Sequence, residues 1–292
     1  MKIAYIVLAH KYPEQLVRLI SRLQNENTSF FIHIDGKTDQ KIYSQIVNQL
    51  QNIPSVYFVK RYKCFWGDFN IIKATLEAIN TLLKSNLEFD YAILLSGQDY
   101  LIKSNSYLSD FLEKNQKREF MEFCSLHSPE NKWYNQGGYY QSLKRIEWWH
   151  LHFRSKHFCL EKERSFLPGI EPYGGSQWWC LSKDCLKYIQ EFTKQNPKFV
   201  NYFKYTFIPD ELFFQTLVLN SPFQANVIND DLRYVDWDNP NPNVPATLLK
   251  DDFAKLISST KIFARKFDMS RDQEILNLID QQILEVNKEQ LV

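Results

Sequence analysis

The sequence predicts an α/β fold: a single domain with a mostly parallel central sheet flanked by helices. Three observations carry the prediction. From the amino end, apolar runs of strand length alternate with stretches of helical periodicity, the order that builds a parallel sheet with both faces covered. No internal repeat, low-complexity tract or linker divides the 292 residues. A hydrophobic share of 44% is ample for a full core.

Residues 2–9 form a continuous apolar run, the first core strand. Residues 12–23 place Leu16, Leu19, Ile20 and Leu23 at helical spacing behind Pro13. Residues 30–34 repeat the strand signal and end in Asp35-Gly36; 40–50 is helical, and 56–59 is a third short strand. A helix follows over about 69–83, then an apolar strand over 91–95 that breaks into Ser96-Gly97-Gln98-Asp99. Ligands of open α/β sheets sit at the carboxyl ends of strands, so His10, Asp35, Trp66 and Asp99 are expected around one crevice. Periodicity weakens over 131–172, which reads as an excursion covering that crevice. A strand over 177–181, a helix over 183–193, a helix opened by Pro209-Asp210-Glu211 and running to about 220, a strand near 225–228 and an amphipathic helix over 272–287 complete the chain. Residues 1–125 are expected to be a nucleotide-binding half and 126–292 an acceptor and catalytic half.

Lys and Arg total 35 against 34 Asp and Glu, so the net charge of +1 gives no global field to recruit nucleic acid. Five cysteines without a CxxC pair suit free thiols in a reducing, cytoplasmic setting. No segment approaches roughly 18 uninterrupted apolar residues, so a soluble chain is expected, with peripheral membrane contact permitted. Aromatic residues make up 15%, which serves packing or platforms for sugar rings. Walker, Gly-x-Gly-x-x-Gly and Gly-x-Ser-x-Gly motifs are absent, and His150 and His152 lack zinc spacing.

Glycosyl transfer with inversion needs a carboxylate to accept the acceptor hydroxyl's proton and cations to receive the departing diphosphate. Glu211 is the candidate base, in the first turn of a helix whose dipole favours a carboxylate; equally, Asp210 and Glu211 could serve only that helix end. Arg233 can grip phosphate bidentately and Lys266 offers a mobile charge, together replacing a divalent cation, unless Arg265 and Lys266 are merely a solvated pair. Asp99 stands alone where a two-carboxylate metal motif would fall, so it is expected to accept hydrogen bonds from a sugar or a loop amide. Asp236-Trp237-Asp238 matches a metal motif by letters, but Arg233 would compete there with a cation. Ser176 and Gln177 offer a hydroxyl and an amide to a sugar, and Trp178 and Trp179 offer indoles, at least one of them expected in the core.

Eight segments in order carry a family resemblance: Ala4-Tyr-Ile-Val-Leu-Ala-His10, Ile32-His-Ile-Asp-Gly-Lys37, Phe65-Trp-Gly67, Leu95-Ser-Gly-Gln-Asp-Tyr-Leu-Ile-Lys103, Gly174-Gly-Ser-Gln-Trp178, Pro209-Asp-Glu211, Leu232-Arg233 and Ala264-Arg-Lys-Phe-Asp268. The chain resembles glycosyltransferase family 14, the core-2/I-branching β-1,6-N-acetylglucosaminyltransferases and peptide O-xylosyltransferases. The resemblance implies a GT-A-like fold without the usual metal motif and without need of a divalent ion. It implies Glu211 as base, Arg233 and Lys266 on the diphosphate, and Asp35 near the uracil. A basic segment before the Gly-Ser strand implies sugar contacts, with Lys144, Arg145 and Trp148 as candidates. The implied donor is a UDP-sugar, N-acetylglucosamine foremost, xylose or another hexose next. The implied acceptor is a glycan or lipid-linked glycan; a carbohydrate-binding protein without catalysis is the alternative of another class. The animal enzymes' anchor, stem and disulfides are missing from this sequence, so it resembles the compact bacterial branch, acting at the inner face of a membrane.

Overall fold

The computed structural model describes residues 1–238 and 244–289. The chain opens as β1 (Ile3–Ala9), α1 (Pro13–Leu23), β2 (Thr28–Ile34), α2 (Gln40–Leu50), β3 (Val56–Phe58), α3 (Asn70–Lys84) and β4 (Tyr91–Ser96). Pro13 starts α1, whose Leu16, Leu19, Ile20 and Leu23 are all buried, as their spacing predicts. Next come β5 (Tyr100–Leu101), α4 (Asn105–Lys114), β6 (Glu119–Ser125), α5 (Lys144–Glu147), β7 (Trp148–Phe153), β8 (Lys156–Glu163), β9 (Tyr173–Ser182), α6 (Lys183–Gln195) and α7 (Pro197–Phe203). The last elements are α8 (Phe213–Leu219), β10 (Val227–Ile228), β11 (Arg233–Val235), α9 (Phe253–Ser258), β12 (Phe263–Arg265) and α10 (Glu274–Glu289).

A seven-stranded sheet in the order β10-β6-β9-β4-β1-β2-β3 unites both ends of the chain. β1 pairs parallel with β2 and β4, β2 with β3, and β10 with β6; β9 runs against both β4 and β6. Residues of β1 alternate between two cores: Ile3, Tyr5 and Val7 face one, Ala4 and Ile6 the other. The first core is closed by α1 and α10, the second by α3, α6 and α8.

Two departures from the sequence reading matter for the site. The excursion over 131–172 contains the β7–β8 hairpin, in which Leu151 pairs with Phe158 and His152 with His157. The helix expected from Pro209 is broken: Pro209–Glu211 is a 3-10 turn, and α8 begins after Leu212, whose φ of −130° leaves the helical range.

A smaller sheet, β11-β12-β5, stands just beyond the carboxyl end of β4. β12 pairs with β11 on one side and β5 on the other, so Arg233 and Arg265 come to one place from residues far apart in sequence.

Candidate active site

β4 ends at Ser96, and the turn after it brings Asp99 back under its own strand. Asp99 is fully buried; its Oδ2 accepts from the Ser96 amide at 2.7 Å and its Oδ1 from Ser96 Oγ at 3.1 Å and Arg265 Nε at 3.0 Å. Of the two partners expected for it, the loop amide is present, joined by Arg265. It offers no open face to a sugar, and it fixes Arg265 instead. A buried carboxylate held this way orients the guanidinium it neutralises.

Arg233, expected at a ligand, lies inside the wall. It is 3% exposed, and its guanidinium donates to the carbonyls of Leu94 and Asp231. Burial pushes its pKa down, against the opposing pull of Asp99 and Asp231. Trp178 stands beside both arginines, its ring 4.7 Å from Arg265 Cζ and 5.7 Å from Arg233 Cζ. Both tryptophans are buried in the same core, Trp178 at its edge at 6% exposed and Trp179 fully enclosed.

A β-bulge lifts Trp178 to this position. Met121 pairs with Trp179 and Phe123 with Gly175, so Ser176, Gln177 and Trp178 stand opposite Glu122 alone, two residues in excess on β9 at the rim of the site. Ser176 Oγ donates to Asp231 Oδ2 at 2.6 Å, and Gln215 Nε2 donates to the Ser176 carbonyl. Gln177, in the same bulge, is half-buried.

Lys266 follows Arg265 in a loop pinned from two sides. Gln98 Nε2 and Gln15 Nε2 each donate to the Phe267 carbonyl at 3.1 Å, and Gln15 Oε1 accepts from the Met269 amide at 2.9 Å. The Lys266 ammonium is pushed below its ordinary value first by burial, then by Arg265, Lys11 and Arg271. Asp268 opposes that push, but it already accepts from Tyr12 Oη at 2.6 Å and from Ser270 Oγ at 2.5 Å. The result is a cation cluster of Arg265, Lys266, Lys11 and Arg271 with Asp99 and Asp268 as its counter-charges, on a loop held by hydrogen bonds beyond the carboxyl end of β4.

On the β1–β2 side, Asp35 is nearly buried; its Oδ1 accepts from the amides of Lys37 at 2.7 Å and Cys64 at 3.3 Å. His10 is exposed, and its carbonyl accepts from Thr38 Oγ1 at 3.0 Å. Trp66 is 64% exposed and meets Phe207 edge-on at 5.6 Å. Gly67 after it takes φ +73°, and a Cβ there would lie 3.4 Å from the His152 ring.

The candidate base has a partner that the sequence reading named only as a candidate sugar contact. Glu211 Oε2 accepts from Arg145 Nη2 at 2.7 Å. Arg145 is buried, with its guanidinium 4.2 Å over the Trp133 ring, and Glu211 is about a third exposed. The helix dipole expected to act on Glu211 is displaced by the break at Leu212, so Arg145 supplies the local positive charge instead. Neighbouring Asp210 is buried, and its carboxyl is pushed up to about 7 by burial and then by Glu211; its Oδ1 has no partner. Lys144 lies 4.8 Å over the Trp148 ring.

Strained backbone marks both catalytic candidates. Ile208, immediately before the Pro209–Glu211 turn, has φ +46°, and Leu232, immediately before Arg233, has φ +63°. Branched side chains tolerate this region poorly, and such positions cluster where function dictates the geometry.

Asp236 accepts from the Asp238 amide at 2.8 Å and faces Lys255 Nζ at 4.0 Å. Arg233 points away toward β4, so the cation facing Asp236 is Lys255 and not the expected Arg233. Among the described residues no group of three or more His, Cys, Asp or Glu side chains is placed to hold a metal, and all five cysteines are free thiols. No helix among the described residues is long and apolar enough to cross a membrane.

A mostly parallel sheet with a cation cluster beyond its strand ends and a carboxylate about a third exposed beside it is the layout of a GT-A-like glycosyltransferase domain. The chain belongs to the Core-2/I-Branching enzyme family, whose profile matches residues 3–257. Rat xylosyltransferase 2 is 28% identical over 304 aligned residues, which cover 96% of this chain and 33% of that protein. Human xylosyltransferase 2 is 27% identical with the same coverage, and a xylosyltransferase of Ciona intestinalis is 25% identical over 96% of this chain and 34% of that protein. The chain therefore spans about a third of the length of these relatives. Among solved structures, the galactosyltransferase LgtC with donor and acceptor sugar analogs has a TM-score of 0.43 at 10% identity, covering 90% of this chain and 86% of that one.

Proposed function

We propose that this domain is an inverting glycosyltransferase that moves a sugar from a UDP-sugar to a hydroxyl of a glycan or lipid-linked glycan, without a divalent metal. The observation that carries the reading is the Arg265–Lys266 segment beyond the carboxyl end of β4, where Asp99 fixes Arg265 and Lys266 has Arg265, Lys11 and Arg271 around it against Asp268. Glu211 takes the acceptor hydroxyl's proton while that oxygen attacks the anomeric carbon from the face opposite the phosphate. The bond from the anomeric carbon to the diphosphate oxygen breaks, and its electron pair leaves with UDP. Lys266 and Arg265 receive the charge that develops there, and Arg233 adds its field from behind Trp178. Arg145 holds the Glu211 carboxylate in place, and Asp99 does the same for Arg265. Asp35, His10 and Trp66 border the nucleotide, and Ser176 and Gln177 border the sugar.

N-acetylglucosamine is the donor sugar proposed. Xylose is the second reading, favoured by the xylosyltransferases among the relatives. Calorimetric titration of UDP, UDP-N-acetylglucosamine and UDP-xylose, with excess EDTA and again with manganese, tests both. Binding that EDTA leaves unchanged supports the cationic site, and the tighter sugar nucleotide identifies the donor. Binding only with manganese overturns the metal-free reading, and no binding in either buffer favours a non-catalytic carbohydrate-binding protein.

A further inference from the structure

The β7–β8 hairpin has two unlike faces. In an antiparallel pair, opposed residues project to the same side and neighbours alternate. His150, His152, His157 and Cys159 share the inward side: His150 Nδ1 lies 3.0 Å from His157 Nε2, and the His157 ring lies 4.7 Å from Phe207. The outward side carries Trp149 opposite Leu160, Leu151 opposite Phe158, and Phe153 opposite Lys156.

Tyr205 and Arg164 pack on Trp149 at the base of that side, and the residues toward the tip are open. Phe153 is 67% exposed, Phe158 52%, Leu160 50% and Leu151 38%. Isolated exposed apolar residues are ordinary, but four on one side of a two-stranded ribbon, with Leu151 directly opposite Phe158, mark an interaction surface. The charges around it are sorted by sign. Lys156 has the parity of the apolar row and Arg154 sits at the tip in the two-residue turn, whereas Glu161 and Glu163 lie at the other end of the ribbon, at the register shift between Trp148 and Trp149. An apolar patch with cations at its tip and the acids at its far end complements an anionic lipid surface. Trp149 and Tyr205, whose rings meet at 5.2 Å, stand at its base as amphipathic aromatics suited to a headgroup layer.

We propose that the outward face of the β7–β8 hairpin docks the protein on an anionic bilayer. The same hairpin presses its inner face on Phe207 and on Gly67, beside Trp66 and the segment leading to Glu211. Docking there sets the base side of the site toward the membrane, where a lipid-linked acceptor is anchored. That placement of the acceptor rests on the transferase reading, whereas the docking does not.

Sedimentation with vesicles tests it without any donor or turnover. The expected result is binding to phosphatidylcholine vesicles containing about 30 mol% phosphatidylglycerol, weak binding to phosphatidylcholine alone, and loss of binding at high salt. Lys156→Glu lowers partitioning roughly fivefold or more, and Phe153→Asp with Phe158→Asp abolishes it while UDP binding stays unchanged. Both phenylalanines are more than half exposed, so the double variant folds, which circular dichroism verifies. Failure of the wild-type protein to bind anionic vesicles overturns the proposal. So does a dimer that the double variant dissolves, since the face would then belong to a second copy. Vesicle binding with no UDP affinity keeps the docking and removes the transferase reading.

Discussion

Glu211→Gln separates the base from its structural role, because the amide keeps an oxygen that can accept from Arg145 Nη2 at the present 2.7 Å. What it loses is charge and the capacity to take a proton. Glu211 is about a third exposed, so solvent screens the pair, and the stability cost is about 1 kcal/mol. In a domain of this size that lowers Tm by about 2–4 °C. Turnover falls far more: loss of a positioned general base removes about 10²–10⁴ in rate, or roughly 3–5 kcal/mol of barrier. The Glu211 carboxylate pairs with Arg145, whereas Arg265 pairs with Asp99, so UDP affinity stays within about twofold. The assay is single-turnover transfer with calorimetry of UDP and a melting curve on the same preparation. Turnover within about tenfold of wild type at unchanged UDP affinity refutes the base assignment. Parallel loss of UDP affinity refutes the separation of the two halves of the site.

The remaining predictions bear on charge and packing. Lys266→Met and Arg265→Met each weaken UDP binding about 10–100-fold, the loss of one charge-assisted phosphate contact, and titration of both variants checks it. Asp210 has a folded-state pKa of about 7, above its unfolded value, so the folded state holds the extra proton between about 4 and 7 and stability falls as pH rises through that window. Asp210→Asn flattens this part of the Tm against pH curve and stabilises most above pH 7; an identical slope in both proteins contradicts it. His150 and His157, both pushed down to about 4 mainly by burial, act with the opposite sign, adding stability as pH rises from about 4 to 6.5, and the wild-type minus variant difference removes them. Gly175→Ala places a Cβ 1.8 Å from the Glu122 carbonyl oxygen, and the backbone must move; a loss of at least about 2 kcal/mol in chemical denaturation is expected.

The first half of the sheet was legible because β1 and β4 are buried on both faces and read as unbroken apolar runs. The cations of the Arg265–Lys266 loop were legible as letters, but their depth was not. Arg233 and Asp99 look alike in sequence to exposed ligands, and only the pairing of β12 with β11 and β5 shows both within the wall. β6, with Glu119 and Glu122 among its seven residues, carries no clean alternation, and α4 buries only Leu108 and Leu112. Arg145 was hidden by distance, since its partner lies 66 residues on and neither residue constrains the local pattern of the other. The one available signal was its setting, an arginine among Trp133, Trp148 and Trp149, where a buried cation requires a remote carboxylate.

The Arg145–Glu211 pair divides the intervening chain by tolerance to change. The hairpin tip at Arg154 and Ser155 meets solvent, so evolution or an engineer can lengthen, recharge or replace it without disturbing the pair. Trp133 and Arg145 have no such freedom, because the guanidinium that holds Glu211 lies over the indole. Surface diversity can accumulate at that tip within a dozen residues of an arginine that has to stay still.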